Sequence, residues 1–593
     1  MFSESTTFKR TIYIGIIIGV IAGFGAVLFF EALNTATYFF LEYFLGYHYP
    51  DEGMAATVIS GWSPPVVIWL FLPLICFGAL VSGLLVFTFA PEAEGHGTDA
   101  AINVFHNAEK VSWKVPVVKA VASVFTIATG GSAGREGPTA QIAAGFGSVI
   151  AEKLHFSERE RRIAIAAGIG AGIGTIFKAP LGGAILAAEI LYTRDIESEA
   201  IIPGFLATVI GYSIFSFFYG FDPIFVDTEI SWSTIQIPLF LLLGVICAAI
   251  GLLYIWSFYG TKRKIDNIFK RYNIPPHIKP VAGAFVVGIM VIGLSYISPA
   301  GMMIGLGSIG SGYGFIQLSL YNMLPLAVLV FLPFAKIITT SFTIGSGGSG
   351  GVFAPGLLIG CAVGGAVGMT LYYLLPGIVP LSSVPVFAIV GMISLFGGVS
   401  NAPLSVMIMV IEMTGNMSLL VPAMGAVAVS YILTGEKTIY IQQVKNKAFS
   451  PAHRGEFEFE ILEDIPVSVA IRDKDNVIAL SPDDTVDKVI RLIDETAHTG
   501  YPVVGEGRMV GIVTNKNLKL AGRSGKTPVS EIMTKKVYTV CQDTSLEEAL
   551  IMMMDNNIHH LPVVDRDEND LLTGFLTSTD IMSSYTAKVR KEQ

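Results

Sequence analysis

The stretch that most constrains this chain is residues 131–138, which read Gly-Ser-Ala-Gly-Arg-Glu-Gly-Pro within an otherwise apolar region. Glycine allows a tight turn, and proline suits the first turn of a helix, which we expect to run from Thr139 to Ile150. The start of a helix presents unpaired N–H groups and a positive dipole end. The stretch therefore predicts an anion site at membrane depth, with the ionisable Glu136 at its mouth.

The same sequence pattern occurs twice in the chain. Residues 348–355 read Gly-Ser-Gly-Gly-Val-Phe-Ala-Pro and match the first octet at its first glycine, its serine, its fourth position and its proline. Downstream, the Ala-Pro-Leu at 179–181 precedes Glu189, and the Ala-Pro-Leu at 402–404 precedes Glu412 at the same spacing. Two matched pairs in the same order indicate an internal duplication. Interrupted apolar segments at corresponding places in two halves are typical of a mid-membrane site made from helix ends.

Composition separates the chain into two unlike regions. It has 593 residues, of which 52% are hydrophobic and 14% charged, and the apolar excess lies before about residue 440. We therefore expect a multi-pass membrane domain at 1–446, with repeat halves at about 11–219 and 234–446. A linker at 447–464 then leads to a soluble region at 465–593.

Lysine and arginine predict the orientation of the membrane domain. Short basic loops at 153–162 and 262–271, with Lys9 and Arg10, mark the cytoplasmic side. The loop at 47–63 lacks this excess and is expected to face outward. Both termini are then expected to be cytoplasmic.

The last region contains a repeat of its own. Tyr-Pro-Val-Val at 501–504 and Leu-Pro-Val-Val at 561–564 each lead, about ten residues later, to a short apolar run that ends in threonine. Each copy predicts two strands followed by a helix capped by Thr, Asn or Asp. Copies at about 465–524 and 527–588 would form one pseudo-symmetric α+β unit.

The motifs at 134–138 (Gly-Arg-Glu-Gly-Pro) and 351–355 (Gly-Val-Phe-Ala-Pro) resemble those of the CLC family of chloride channels and proton-coupled chloride exchangers. The tail resembles a pair of CBS domains, which are adenine-nucleotide-sensing modules. The resemblance implies an all-α membrane domain with an internal inverted repeat and broken helices, followed by an α+β tandem CBS-like domain. It also implies a homodimer in the lipid membrane, with one pore in each subunit and no enzymatic activity.

The resemblance implies which residues handle the anion. Backbone N–H groups and helix N-termini would hold chloride without a full countercharge, which suits release as well as binding. Glu136 is implied to be the gate, because its carboxylate occupies an anion site until it swings away or is protonated. The alternative is a structural carboxylate paired with Arg135. The implied anion-binding set is His96, Gly97, Gly134, Arg135, Glu136, Gly137, Val352, Phe353 and Tyr440.

Three inner positions depart from the family's pattern. His96 and Asp99 stand where the family usually has serine and proline, and the imidazole can donate to an anion and titrate near neutral pH. Asp99, at a helix start, is expected to act as a cap. Ile190 stands where exchangers carry an inner glutamate that relays protons, and isoleucine carries none. The leading expectation is therefore a chloride-selective channel modulated by the tail, and a chloride/proton antiporter is the alternative.

In the tail, the resemblance implies an adenine nucleotide (ATP, ADP or AMP) as a regulatory ligand. The positions that match the nucleotide signature are Tyr501, Thr514, Asn517, Thr577 and Asp580. The same residue types also cap helices, so capping alone is the alternative interpretation.

Other classes of function receive less support. A membrane-anchored nucleotide sensor is a remote alternative, because it would leave Glu136 and both glycine octets without a role. The four cysteines lack metal-ligand spacing, so no metal site is expected. No cofactor is required for transport, and no nucleic-acid partner is indicated.

Overall fold

The computed structural model describes residues 2–107, 109–225, 230–453, 462–463, 465–473, 477–496, 498–520, 525–566 and 571–592. The chain divides into two compact units, Met1–Ala452 and His453–Gln593. Each unit is described by itself.

The first unit is helical throughout its described part, and nine of its described helical segments are long and apolar enough to cross a membrane. Its first half contains α1 (Phe2–Thr37, continued by a π-helical turn at Tyr38–Phe44), α2 (Ala56–Ile59), α3 (Phe71–Phe89), α4 (Gly97–Asn107), α5 (Lys114–Ala128), α6 (Glu136–Lys153), α7 (Glu158–Ile176), α8 (Pro180–Glu189) and α9 (Ile201–Tyr219). Its second half contains α10 (Ile237–Arg271), α11 (Lys279–Ile297), α12 (Pro299–Gly307), α13 (Tyr313–Leu320), α14 (Leu326–Gly345), α15 (Phe353–Leu374), α16 (Val384–Val399), α17 (Pro403–Thr414) and α18 (Leu420–Thr434).

Several helices are too short to span a bilayer. α8, α12, α13 and α17 contain 10, 9, 8 and 12 residues. At about 1.5 Å per residue they reach at most about 18 Å, against a hydrocarbon core of about 30 Å. Helix ends at membrane depth persist only where protein covers their backbone groups, and every residue of α13 is buried.

Small residues allow the corresponding helix pairs of the two halves to pack closely. α6 packs on α7, and α15 packs on α16. A methyl group added at Gly360 would lie 2.4 Å from the Gly391 carbonyl oxygen, and one at Gly172 would lie 2.4 Å from the Thr139 carbonyl oxygen. Backbones therefore meet directly, which is the favoured packing where no hydrophobic effect drives helices together.

The second unit is α+β. Its elements are α19 (Val467–Ala470), β1 (Arg472–Asp473), α20 (Val486–Thr496), β2 (Gly500–Gly505), β3 (Arg508–Thr514), α21 (Asn515–Leu520), α22 (Val529–Ile532), β4 (Val540–Cys541), α23 (Leu546–Asp555), β5 (His560–Val564), β6 (Leu572–Thr577) and α24 (Ser578–Glu592). β2 pairs with β3, and the second sheet has the order β1-β6-β5-β4. Equivalent antiparallel hairpins, Tyr501 opposite Val513 and Leu561 opposite Leu576, carry the two copies.

The fold predicted from the sequence is confirmed in both units. The membrane domain is helical and broken at the expected glycine and proline positions, and the tail has two copies of strand, strand and helix. The tail has two apolar cores, each built mainly from one copy and completed by residues near the start of the other. One core contains Leu480, Val489, Tyr501, Val503, Val513 and Val529, and the other contains Val540, Leu546, Met553, Leu561, Val563 and Leu576.

Candidate functional site

Three glycine-rich segments meet at the centre of the membrane unit. Gly134 and Gly351 donate their N–H groups to each other's carbonyl oxygens, both at 2.8 Å. The Gly350 N–H donates to the Gly95 carbonyl oxygen at 3.3 Å. A methyl group at Gly137 would lie 2.9 Å from the Gly351 Cα, so a side chain at this position would push the segments apart. The duplicated octets therefore form one site together with the segment before α4.

Three helices begin at this point. α4 begins at Gly97, α6 at Glu136 and α15 at Phe353. Each helix start carries unpaired N–H groups and a partial positive charge. The predicted anion-binding residues Gly97, Gly137, Val352 and Phe353 all belong to these three starts. An anion here would be held by backbone dipoles.

Glu136 lies inside this ring of helix starts. The residue is 0% exposed, and its Oε1 accepts hydrogen bonds from the Tyr313 hydroxyl at 2.7 Å and from the Ala354 N–H at 2.9 Å. Its Oε2 has no hydrogen-bond partner among the described residues. A methyl group at Gly134 would lie 2.0 Å from Oε2, so the carboxylate covers its own glycine turn. The carboxylate of one half thus occupies the helix N-terminus of the other half.

The cations beside Glu136 have other partners. The Arg135 guanidinium forms an ion pair with Glu52 at 2.6 Å, and both side chains are largely buried. Lys336 donates to the carbonyl oxygens of Ser308, Ile309 and Gly310. The alternative of Glu136 as the salt-bridge partner of Arg135 is therefore not what the structure contains.

On the other side of the glycine centre, unsatisfied polar groups lie side by side. The His96 and Tyr440 rings are 5.7 Å apart. The buried His96 Nδ1 has no hydrogen-bond partner among the described residues, and the Tyr440 hydroxyl lies beside Thr98 without a hydrogen bond of ordinary geometry. Tyr259 approaches the His96 Nε2 at 3.5 Å. Buried polar groups normally have partners, so these two groups mark a place for a ligand.

A cavity of about 280 Å³ leads to His96. Its polar lining includes Asp99, Asn103, Gln141 and Lys262. Asp99 accepts a hydrogen bond from the Gln442 N–H at 2.9 Å, so it fastens the segment that follows Tyr440. Its expected role as a cap of its own helix stays a prediction, and this contact with Gln442 was not predicted from the sequence.

At the position that matches the exchangers' inner glutamate, the structure contains no ionisable group. Ile190 is 0% exposed, and its carbonyl oxygen accepts from the Gln443 side chain at 2.9 Å. The neighbouring Glu189 accepts from the N–H groups of Leu404 and Ser405, at 3.1 and 2.8 Å, and from the Ser405 hydroxyl. The Glu189 carboxylate therefore serves as the hydrogen-bond acceptor for the start of α17.

In the tail, a cavity of about 430 Å³ lies between the two copies. Among the five predicted nucleotide residues, Tyr501, Thr577 and Asp580 line it, whereas Thr514 and Asn517 are not part of its lining. Both Thr–Asn and Thr–Asp pairs are also caps: Asn517 accepts from the Thr514 N–H at 2.9 Å, and Asp580 accepts from the Thr577 N–H at 3.0 Å.

Sequence reasoning missed three histidines of this cavity, His498, His559 and His560. The His-His pair at 559–560, where β5 begins, was the available signal. Burial, followed by the neighbouring imidazoles of His559 and His498, lowers the pKa of His560. The cavity therefore holds a cluster of imidazoles suited to an anionic group.

A duplicated membrane domain in which three helix starts surround a buried carboxylate defines a membrane transport protein. Comparison with known families agrees with this class. A family model described as "Voltage gated chloride channel" matches residues 78–435, and the CBS domain model matches residues 467–523 and 529–586. The chain therefore belongs to the voltage-gated chloride channel family, the CLC family predicted from its motifs, and it carries two CBS domains.

Similar proteins are found in several organisms. An uncharacterised protein of Methanocaldococcus jannaschii is 33% identical over 375 residues, which cover 63% of this chain and 86% of that protein. The H(+)/Cl(−) exchange transporter ClcA of Cronobacter sakazakii is 28% identical over 453 residues, which cover 74% of this chain and 90% of the transporter.

Solved structures support the fold. A slow cyanobacterial Cl−/H+ antiporter aligns with a TM-score of 0.60 at 23% identity, over 73% of this chain and 96% of that one. A eukaryotic CLC transporter aligns with a TM-score of 0.56 at 18% identity, over 97% of this chain and 98% of that one.

Proposed function

We propose that this chain exchanges chloride for protons across a membrane and that Glu136 is the group both ions share. One contact carries the proposal: the Ala354 N–H, in the first turn of α15, donates to the Glu136 carboxylate at 2.9 Å. A carboxylate held by a helix start stands in the place of a free anion. When Glu136 leaves, that N–H group is free to bind chloride.

Chloride would be bound without a fixed countercharge. Arg135 is neutralised by Glu52, and Lys336 is held by three carbonyl groups, so neither cation is available as a tight partner. Helix dipoles and N–H groups bind an anion strongly enough to admit it and weakly enough to release it. The unpartnered Tyr440 hydroxyl supplies a donor for chloride, and the His96 imidazole, which lines the 280 Å³ cavity, lies beside it.

Protonation removes the negative charge of Glu136. Chloride can then displace the carboxyl group from the start of α15. This competition couples the two ions, because the same carboxylate is either charged and bound at the start of α15, which we call the anion place, or protonated and away from it. Curated relatives named as H(+)/Cl(−) exchange transporters favour exchange over passive conduction. The proposal therefore reverses the leading expectation from the sequence and adopts its alternative.

Since Ile190 carries no proton, the inner route must be elsewhere. We propose that it runs through the cavity whose lining includes Asp99 and His96, because both side chains are ionisable and the His96 ring lies 5.7 Å from that of Tyr440. Glu189 is excluded from this role by its hydrogen bonds to α17.

A chloride channel is the second candidate, and the fully buried Ile190 is the observation that favours it. The reversal potential of the purified protein in a planar bilayer separates the two. With equal chloride on both sides and a tenfold proton gradient, an exchanger gives a reversal potential away from zero, whereas a channel gives zero. Proton movement driven uphill by chloride in sealed vesicles gives the same answer without a voltage clamp.

Regulation and assembly extend the proposal. The cavity between the two tail copies has the lining for an adenine nucleotide, with an acidic Asp580 for ribose hydroxyls and imidazoles for phosphate.

We infer a homodimer with one pore in each subunit, with both termini in the cytoplasm, as the basic loops predict. Cross-linking in lipid and protease access to the tail in right-side-out vesicles test these two points.

A further inference from the structure

Tyr313 is the side chain that contacts the Glu136 carboxylate from outside the recognised motifs. It is the first residue of α13, it is 1% exposed, and its hydroxyl donates to Oε1 at 2.7 Å. Gly312, with φ +91, turns the chain into the helix at this point, a conformation that other residues rarely adopt. Lys336 fixes the preceding turn through the carbonyl oxygens of residues 308–310. The hydroxyl is therefore delivered by a rigid segment.

The ring of Tyr313 is held on several sides. The Arg135 guanidinium lies 4.8 Å from its centroid and 4.7 Å from that of Phe30. Phe177 and Phe225 approach the Tyr313 ring at 6.2 Å each. A cation between two aromatic rings is favourable, so Arg135 acts as a clamp on the tyrosine.

Arg135 in turn is tied to the loop at 47–63. Glu52 pairs with it at 2.6 Å. Burial opposes the charge on Glu52, but the guanidinium outweighs burial and holds the pKa of this carboxyl below its usual range. A methyl group at Gly314 would lie 1.9 Å from the Pro50 carbonyl oxygen, and the Tyr321 hydroxyl donates to the Met54 carbonyl oxygen at 3.1 Å. The loop therefore lies directly on α13.

We propose that Tyr313 is a positioning residue that holds the Glu136 carboxylate in the anion place, and that the loop acts on this hydrogen bond through the Glu52–Arg135 ion pair. The proposal rests on the proposed role of Glu136 as the group that blocks the anion place, and it applies to an exchanger and a channel alike. A hydroxyl donates more strongly to a charged carboxylate than to a neutral one. Tyr313 therefore favours the charged, blocking form.

Other groups also face Glu136, and they remain in place in the variants proposed below. They are Arg135 on the same segment, Lys336 on α14, Tyr254 on α10, and Tyr440. Because none of these is changed in Y313F, a difference in the pH profile of this variant belongs to the lost hydroxyl.

The test is the pH profile of chloride efflux from proteoliposomes containing the full-length protein. Y313F keeps the ring and removes the donor. The charged carboxylate then loses one charge-assisted hydrogen bond, so it is protonated and released at higher pH. We expect the midpoint of acid activation to rise by about one pH unit and efflux at neutral pH to rise up to about tenfold. E52Q loosens the clamp, but it also leaves the Arg135 charge without its partner, and that charge favours the charged carboxylate. The effect of the loop on the hydrogen bond is therefore the difference between the E52Q shift in the wild-type background and the E52Q shift in the Y313F background, and we expect that difference to be nonzero.

Y219F is the matched control. The Tyr219 hydroxyl donates to Glu31 at 2.8 Å, a bond of the same chemistry away from Glu136, so its loss should leave the profile unchanged. In the E136Q background, Y313F should add nothing, because the carboxylate that it positions is gone. The proposal is overturned if the Y313F midpoint equals the wild-type value or lies below it. It is also overturned if Y313F has its full effect in the E136Q background.

Failure of this inference is distinguishable from failure of the proposed exchange. Proton movement is recorded in the same vesicles with the wild-type protein. Absent proton movement rejects exchange and leaves the chloride profile as the measure of Tyr313. Intact proton coupling with an unchanged Y313F profile rejects the role of Tyr313 alone.

Discussion

Glu189 and Glu412 each accept hydrogen bonds from the first turn of the helix on which the other glutamate lies. Glu412, on α17, accepts from the N–H groups of Leu181 and Gly182 at 3.1 and 2.8 Å. Glu189, on α8, accepts from those of Leu404 and Ser405 at the same distances, 3.1 and 2.8 Å. Both helices begin with proline and have no capping side chain of their own, so the two glutamates supply the missing acceptors.

Loss of either carboxylate should destabilise the membrane domain without changing ion coupling. Because each glutamate accepts two backbone hydrogen bonds as an anion, we expect E189A and E412A each to cost about 2–3 kcal/mol. Thermal unfolding in detergent measures the loss. E199A, which breaks the surface pair with Arg159, is the control and should cost less than about 1 kcal/mol. Lost proton movement with intact chloride flux in E189A would instead assign Glu189 to the proton route.

E136Q should transport chloride at all pH values and carry no protons. The amide cannot ionise, so it does not compete with chloride as an anion for the Ala354 N–H. We expect efflux that is at least as fast as wild type at neutral pH and flat between about pH 5 and 8, with a reversal potential at the chloride value. Flux and pH response equal to wild type would remove Glu136 from the gate.

Asp99 and His96 should matter for protons more than for chloride. D99N and H96S remove ionisable groups from the 280 Å³ cavity, and we expect proton turnover to fall about tenfold or more while chloride flux is kept within a few-fold. H96S should also change halide preference, because the unpartnered His96 imidazole lies beside the Tyr440 hydroxyl. N103A, which alters the same lining without removing an ionisable group, should retain coupling. Equal coupling in all three variants would place the route elsewhere.

Asp580 and Asn517 should differ in nucleotide binding although both cap helices. Each accepts from the N–H of a threonine three residues earlier, so D580A and N517A should lower stability by a similar amount, about 1 kcal/mol. Only Asp580 lines the cavity, so only D580A should weaken ADP binding by about tenfold. Calorimetry on the full-length protein measures both. Equal affinity in the two variants would leave these residues with capping alone.

Nucleotide binding should take up a proton. The lowered pKa of His560 leaves its imidazole neutral in the free cavity at pH 7. A phosphate group placed near it favours the charged form, so binding should strengthen as the pH falls from 7.5 towards 6.5. Calorimetric heats in two buffers of different ionisation enthalpy report the uptake, and H560N should abolish it. Binding that releases protons, or a pH-independent affinity in wild type, would contradict the assignment.

The glycine and proline motifs were sufficient to predict the fold and the centre of the site from the sequence. A turn such as Gly134-Arg135-Glu136 followed by a helix has few conformations, and its repetition at Gly351 implies that the two copies meet. The predicted start of α6 was three residues late, at Thr139, because Pro138 is compatible with a position inside the first turn as well as at its start.

The partners of the site could not be predicted in the same way. Tyr313 lies 177 positions after Glu136 in the sequence, within an apolar stretch that resembles an ordinary helix start. Glu52 lies in a polar loop, where an acidic residue usually has no buried partner. Both contacts depend on which helices are adjacent, and single-sequence periodicity does not contain that information. Asn517 lies outside the cavity lining for a related reason: its residue type fits both capping and nucleotide binding, and its position depends on how the strands are arranged.

The bond pair between Gly134 and Gly351 limits how this molecule can move. Since the two halves are joined by two 2.8 Å hydrogen bonds at their centre, one half cannot rotate against the other as a rigid body without breaking the anion place itself. We therefore expect the backbone at the centre to stay in place during the proposed transport, with access controlled by side chains that turn beside it. A carboxylate moves by a few ångströms when its side chain changes rotamer. The proposed transport would therefore need side-chain rotation and no movement of whole domains.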